Sequence, residues 1–141
     1  MKAYPRFFLG RLDYTDIGIG TQNRWRLDNP FGYQTKAGRG IVVPAGFEWD
    51  GASIPRFLWD RLGGPMSSGN GEASLVHDWM RAHRVEPTDD GITFTLDYGD
   101  AMFREILLYR GKSRWKAWWM WAGVRVHGVV LYGRGCLASI A

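Results

Sequence analysis

The sequence predicts one α+β domain, with antiparallel strands and hairpins first and a three-helix part after them. Three observations carry this prediction. In the first fifty positions apolar residues come in short alternating or β-branched runs cut by Pro and Gly. From residue 53 onward they recur at helical spacing between capping residues and glycine stops. The chain has 141 residues, 45% hydrophobic and 23% charged, long enough for one core and short for two. The expected division is β-rich over 1–50 and helical over 53–132, within a single domain 1–141.

Taken in order, Phe7-Phe8-Leu9 is the first apolar run, and Arg24-Trp25-Arg26-Leu27 alternates as a half-buried strand does. Asp28-Asn29-Pro30 is a turn signal, after which Phe31 to Thr35 is expected to return as a hairpin partner. Gly40-Ile41-Val42-Val43 is β-branched and ends at Pro44; Ala45-Gly46 turns the chain into Phe47-Glu48-Trp49. Ser53 is placed to cap a short helix with Pro55 in its first turn, continuing through Leu62 to the stop Gly63-Gly64-Pro65. A Ser/Gly-rich loop, 66–71, precedes a helix over 72–83 with Ala73, Val76 and Met80 on one side. Residues 84–96 read as a polar connection with a small hairpin at Asp90-Gly91. A second helix over 97–109 turns Phe103, Ile106 and Leu107 inward and ends at Gly111. A third, Trp-rich helix runs from Ser113 to about Gly128. No internal repeat or low-complexity segment appears.

Aromatic residues reach 15%, with 8 Trp, and the last helix explains much of that excess. Trp115, Trp118, Trp119, Ala122, Val126 and Val129 share one stripe, which is expected to be buried within the chain. The opposite side carries Ala117, Met120, Trp121 and Val124, wetted only by Lys116 and His127. A helix apolar nearly all round is buried or has a partner. The second expectation is therefore an interface to a protein or membrane through Trp118, Met120, Trp121 and Val124.

Composition excludes several classes. Cys136 is the only cysteine, so an internal disulfide framework and a Cys-based zinc cluster are out. No signal peptide is visible, and Lys116, Arg125 and His127 interrupt the most apolar stretch, against a simple spanning helix. The net charge of +4 is unevenly spread: residues 101–141 hold seven bases and one acid, whereas 85–100 hold five acids and no base. Arg110, Lys112, Arg114 and Lys116 interleave with Trp, but no nucleic-acid reading motif accompanies them, so nucleic acid is not an expected partner.

The chemistry narrows by elimination. His77 and His83 are six apart and cannot form an i,i+4 metal pair, and no nucleophile elbow or phosphate-cradling loop is present. His77, Asp78, Asp100 and the run Asp50-Gly51-Ala52-Ser53-Ile54-Pro55 remain. If the helices over 72–83 and 97–109 pack antiparallel, His77 and Asp100 face each other. A carboxylate on one imidazole nitrogen fixes the tautomer and leaves the other as a general base. Asp78 would point elsewhere, toward Asp50-Gly51, where carboxylates and a backbone carbonyl suit a hard cation such as Ca²⁺. Each member also has an ordinary structural role: a core histidine, a common turn, an acid at a helix start.

The stretch Val43 to Trp59, VPAGFEWDGASIPRFLW, resembles the hallmark segment of domain of unknown function 1353. Ala73 to Trp79 with His77-Asp78, Asp100 to Glu105, and Trp115 to Gly128 resemble its later motifs, so the likeness covers roughly 40–128. That resemblance implies a bacteriophage or prophage origin, with no settled function. Inside it, the Asp-Gly-x-Ser-x-Pro loop followed by His-Asp and Asp-x-x-Phe helices is similar to small bacterial and fungal phospholipase A2 proteins. By that similarity His77 is the base, Asp78 the calcium ligand and Asp100 the orienting carboxylate, although the disulfides of that group are absent. Two expectations follow: a calcium-dependent ester hydrolase acting on host envelope lipid, or a non-enzymatic virion component, a tail protein or adaptor, partnered by other virion proteins. Either is expected in the virion or the host cytoplasm.

Overall fold

The computed structural model describes residues 7–20, 23–51, 59–66, 69–83 and 96–126. Strands come first: β1 (Phe7–Leu9), β2 (Tyr14–Asp16), β3 (Trp25–Leu27), β4 (Phe31–Gln34), β5 (Gly40–Val43) and β6 (Glu48–Trp49). Helices follow: the single turn α1 (Trp59–Leu62), then α2 (Asn70–Ala82), α3 (Leu96–Tyr109) and α4 over 114–126. The protein is α+β, as the sequence predicts.

The strands form two antiparallel three-stranded sheets, ordered β1-β4-β5 and β2-β3-β6. The expected hairpin between residues 24–27 and 31–35 is therefore not formed, because β3 and β4 lie in different sheets. The backbone bonding of Leu27 and Asp28 shows why. Leu27 N–H donates to Phe47 and its carbonyl accepts from Gly46, while Asp28 N–H donates to Asp13. Both edges of β3 are thus occupied, and Pro30, lacking an N–H, carries the chain into the other sheet. In that sheet Phe31 lies opposite Val43, Tyr33 opposite Ile41, and all four are buried. Gly40 and Val42 alternate outward, the period-two pattern of a strand with one wet face.

Helix α2 begins two residues earlier than its periodicity suggests. Gly69 precedes it in the left-handed region (φ 86), and a Cβ there would lie 2.5 Å from Cβ of Arg110, so glycine is required. Asn70, the first helical residue, is fully buried and donates to the carbonyls of Leu62 and Gly64. Lys112 Nζ donates to the same Leu62 carbonyl at 2.9 Å. These bonds join the end of α1, the start of α2 and the α3–α4 turn.

Ala73, Val76 and Met80 of α2, and Phe103, Ile106 and Leu107 of α3, are in the core as their spacing requires. The two helices run antiparallel, with Glu72 beside Arg110 at one end and Arg81 beside Asp100 at the other. Tyr33 O–H donates to Glu105 at 2.6 Å and anchors the β1-β4-β5 sheet to α3. Trp49 Nε1–H donates to Ser74 at 3.2 Å and anchors the other sheet to α2.

Helix α4 reverses the expected orientation. Its inward side is Ala117, Met120, Trp121 and Val124, with Ala117 and Met120 buried. Trp115, Trp118, Trp119 and Val126, which were expected to be covered, are exposed. Met120 at 5% exposure is thus core rather than interface, Trp121 and Val124 are half-buried, and Trp118 alone of those four is open to solvent. Both sides are apolar, so neither periodicity nor hydropathy selects one. The selecting contact is polar: Arg81 donates to the Val124 carbonyl and Arg125 reaches Asp97 and Asp100, which turns that side to the protein. The hairpin expected at Asp90-Gly91 and the helix start at Ser53 lie outside the described residues. Among the described residues no helix is long and apolar enough to cross a membrane.

Candidate functional site

His77 projects from the middle of α2 and Asp100 from the second turn of α3. The antiparallel seam brings His77 Nε2 within 2.6 Å of Asp100 Oδ1, and both residues are buried, at 4% and 2% exposure. The Phe103 ring packs beside the imidazole at 5.3 Å between centroids and holds its plane. A carboxylate so close to Nε2 makes that nitrogen the N–H donor, so Nδ1 is the acceptor in the neutral ring. Nδ1 faces Asp78 Oδ1 at 3.5 Å.

Among the described residues, the remaining Asp100 contacts are to arginine. Oδ2 accepts from Arg125 Nη1 of α4 at 3.0 Å, and Arg81 Nη2 of α2 lies 3.6 Å from Oδ1. Arg125 also pairs with Asp97. Neither arginine stood out in the sequence. Arg81 carried a signal in its spacing, four residues after His77 and on the same helix face. Arg125 carried another, as the cation that interrupts the apolar run after Lys116.

Asp50 follows β6, and its carboxyl is paired with that of Asp78. Its pKa is pushed up to about 6, first by partial withdrawal of the carboxyl from water, then by the charge of Asp78 and a hydrogen bond to it. The adjoining Gly51 is buried at φ 74, and a Cβ there would lie 2.7 Å from the Trp25 ring. Close packing of that glycine fixes where the Asp50 carboxyl can reach. His77 is subject to opposed influences. Burial is the largest and favours the neutral ring; the bond to Asp100, and then the bond to and charge of Asp78, outweigh it, while Arg81 opposes them. The net result is a pKa raised above 6.5.

The structure therefore places His77 against Asp100 and Asp50 against Asp78, with Asp78 bridging toward Nδ1. Asp50 and Asp78 offer hard oxygen ligands, and Gly51 lies beside them. Among the described residues no group of three His, Cys, Asp or Glu side chains is arranged to hold a metal ion.

A pH effect follows from the Asp50 shift. The native state holds a proton on Asp50 between pH about 4 and about 6 that the unfolded chain has released, so stability falls as pH rises through that window. Asp50→Asn, which keeps a donor to Asp78 at every pH, is expected to stabilise the protein at pH 7 by up to ~1 kcal/mol, because solvent screens so exposed a pair. It should change little at pH 4. Thermal melts of both proteins across that range check this; a gain equal at both ends would refute the shared proton.

Fold and site define a small α+β protein whose buried imidazole–carboxylate pair is completed by arginines from two helices. The chain belongs to the family described as "Protein of unknown function (DUF1353)", whose model matches residues 25–124. That span runs from β3 through most of α4 and includes Asp50, His77, Asp78 and Asp100. The chain is also 36% identical over 56 residues to "Uncharacterized protein y4jT" of Sinorhizobium fredii (strain NBRC 101917 / NGR234). The match takes in 40% of this chain and 17% of that protein. No solved structure matches the chain.

Proposed function

We propose that this chain is a small ester hydrolase of the phospholipase A2-like type, with His77 as general base and Asp100 as the residue that orients it. The observation that supports this reading is the 2.6 Å contact from Nε2 to Asp100, which leaves Nδ1 directed at the Asp78–Asp50 side. In the proposed reaction a water on that side gives its proton to Nδ1 and its oxygen attacks the ester carbonyl carbon. Collapse of the tetrahedral adduct breaks the C–O bond, and the leaving alkoxide takes the proton back from His77, giving acid and alcohol. Asp50 and Asp78, with the Gly51 carbonyl, are the residues that would hold Ca²⁺. When bound, the ion would neutralise the carboxylate pair and polarise the ester carbonyl.

The test is release of fatty acid from mixed bacterial phospholipids, with calcium or with a chelator, beside His77→Ala. Calcium-dependent release lost in the variant is expected; release unchanged in the variant ends the proposal. The base must be neutral, and its folded pKa is raised, so the rate should climb with pH along a limb lying above pH 6.5. A limb below that value would assign the proton to another group.

A second reading has its own support. His77 and Asp100 are so deeply buried that the network suits a scaffold pinning three helices. On this reading the chain is a non-enzymatic component of a bacteriophage particle, such as a tail protein or adaptor. Proteomics of purified particles separates the two: a copy number fixed by particle symmetry supports it, and absence from particles counts against it.

A further inference from the structure

We infer that the outer face of α4 is a docking surface for an anionic phospholipid bilayer. Trp115, Trp118, Trp119 and Val126 are 55%, 46%, 59% and 63% exposed. On a helical projection they fall within roughly 100° of arc, directly opposite Ala117, Met120 and Val124. Solvent-facing indoles at three positions within five residues form a contiguous apolar patch, where isolated exposed apolar residues would need no explanation.

Charge names the occupant. Helix α4 carries Arg114, Lys116 and Arg125 and no acidic residue. Arg125 is engaged by Asp97 and Asp100, and Lys112, just before the helix, is held by the Leu62 carbonyl. Arg114 and Lys116 lie about 100° to either side of the centre of the Trp arc. The Lys116 ammonium stands 5.8 Å from the Trp115 ring centroid. An apolar indole stripe bordered by cations on both sides is the pattern of a helix lying in the plane of a bilayer, with indoles at headgroup depth and cations on anionic headgroups. A second copy meets this face less well, since a two-fold contact would set these cations against one another.

The surface is separate from His77, and the inference stands whether or not the chain hydrolyses lipid. It is tested with the full chain and with vesicles of ether-linked lipids, which an esterase cannot cleave. Sedimentation with equal parts phosphatidylglycerol and phosphatidylcholine is expected, without sedimentation on phosphatidylcholine alone, and binding should weaken with salt. Trp115→Ser/Trp119→Ser should weaken binding by about tenfold or more. The charge reversal Arg114→Glu/Lys116→Glu should do so by about tenfold. All four side chains are solvent-facing or half-exposed, so both variants should keep the wild-type circular dichroism spectrum and melting temperature. Failure to bind the anionic vesicles, or binding unchanged in both variants, overturns the inference. So does self-association, or oligonucleotide binding, that depends on these Trp residues without vesicle binding.

Discussion

Asp100→Ala is expected to remove about 3–5 kcal/mol of folding stability, because it strips the one carboxylate that faces a buried imidazole and two guanidinium groups. For a chain of this length that is a fall of roughly 10–20 °C in melting temperature. The cost lies less in the lost attraction than in the charges left behind: Arg81 would keep its positive charge in a largely buried place, while Arg125 would keep only its pairing with the more exposed Asp97. Asp100→Asn retains the shape and one acceptor, and is expected to cost less, about 1–3 kcal/mol. Urea titrations of the two variants decide it. A loss under about 1 kcal/mol in Asp100→Ala would mean that water reaches the cluster freely, and the buried network would have to be abandoned.

Trp49→Ala is the second large effect, at about 3–5 kcal/mol. Trp49 is among the largest fully buried side chains, and its Nε1–H is bonded to Ser74 of α2. Truncation leaves a cavity at the joint between sheet and helix and removes the donor to Ser74, whose hydroxyl keeps only its bond to the Gly71 carbonyl. The effect should spread to the next residue. With its anchor gone, Asp50 can leave Asp78, so the Asp50 pKa should relax from about 6 toward its ordinary value of 3.8. Carboxyl NMR titration reads this directly, and an Asp50 pKa unchanged in the variant would show that Gly51 alone places the carboxyl. Trp49→Phe, which keeps most of the volume, should cost less and shift the pKa less.

The parts of this protein that were legible in its sequence are those fixed locally. Ala73, Val76 and Met80, or Phe103, Ile106 and Leu107, announce a helix face by spacing alone, and the core uses those faces. Pairing of strands is not local. Leu27 finds Phe47 and Asp28 finds Asp13 across intervening chain, so the nearest strand in sequence, Phe31–Gln34, proved to belong to the other sheet. Strand β2 escaped notice because Tyr14–Asp16 is exposed throughout and carries no apolar alternation. For α4 the hydropathy pattern was degenerate, and a charge, Arg125, selected the buried side. The meeting of His77 with Asp100 followed from two helix faces and antiparallel packing. The arginines behind Asp100 needed the third helix, whose orientation the sequence left open.

The polar cluster can be counted as a single ionic body. Asp50, Asp78, Asp97 and Asp100 meet Arg81 and Arg125 around one imidazole, so four carboxylates face two permanent cations. His77 and Asp50 are the two members whose proton affinity is raised. Both face Asp78, so the two dissociations are coupled through that carboxylate. Any cation that settles between Asp50 and Asp78 must compete with those protons, so occupancy, proton release and ambient pH form one linked equilibrium.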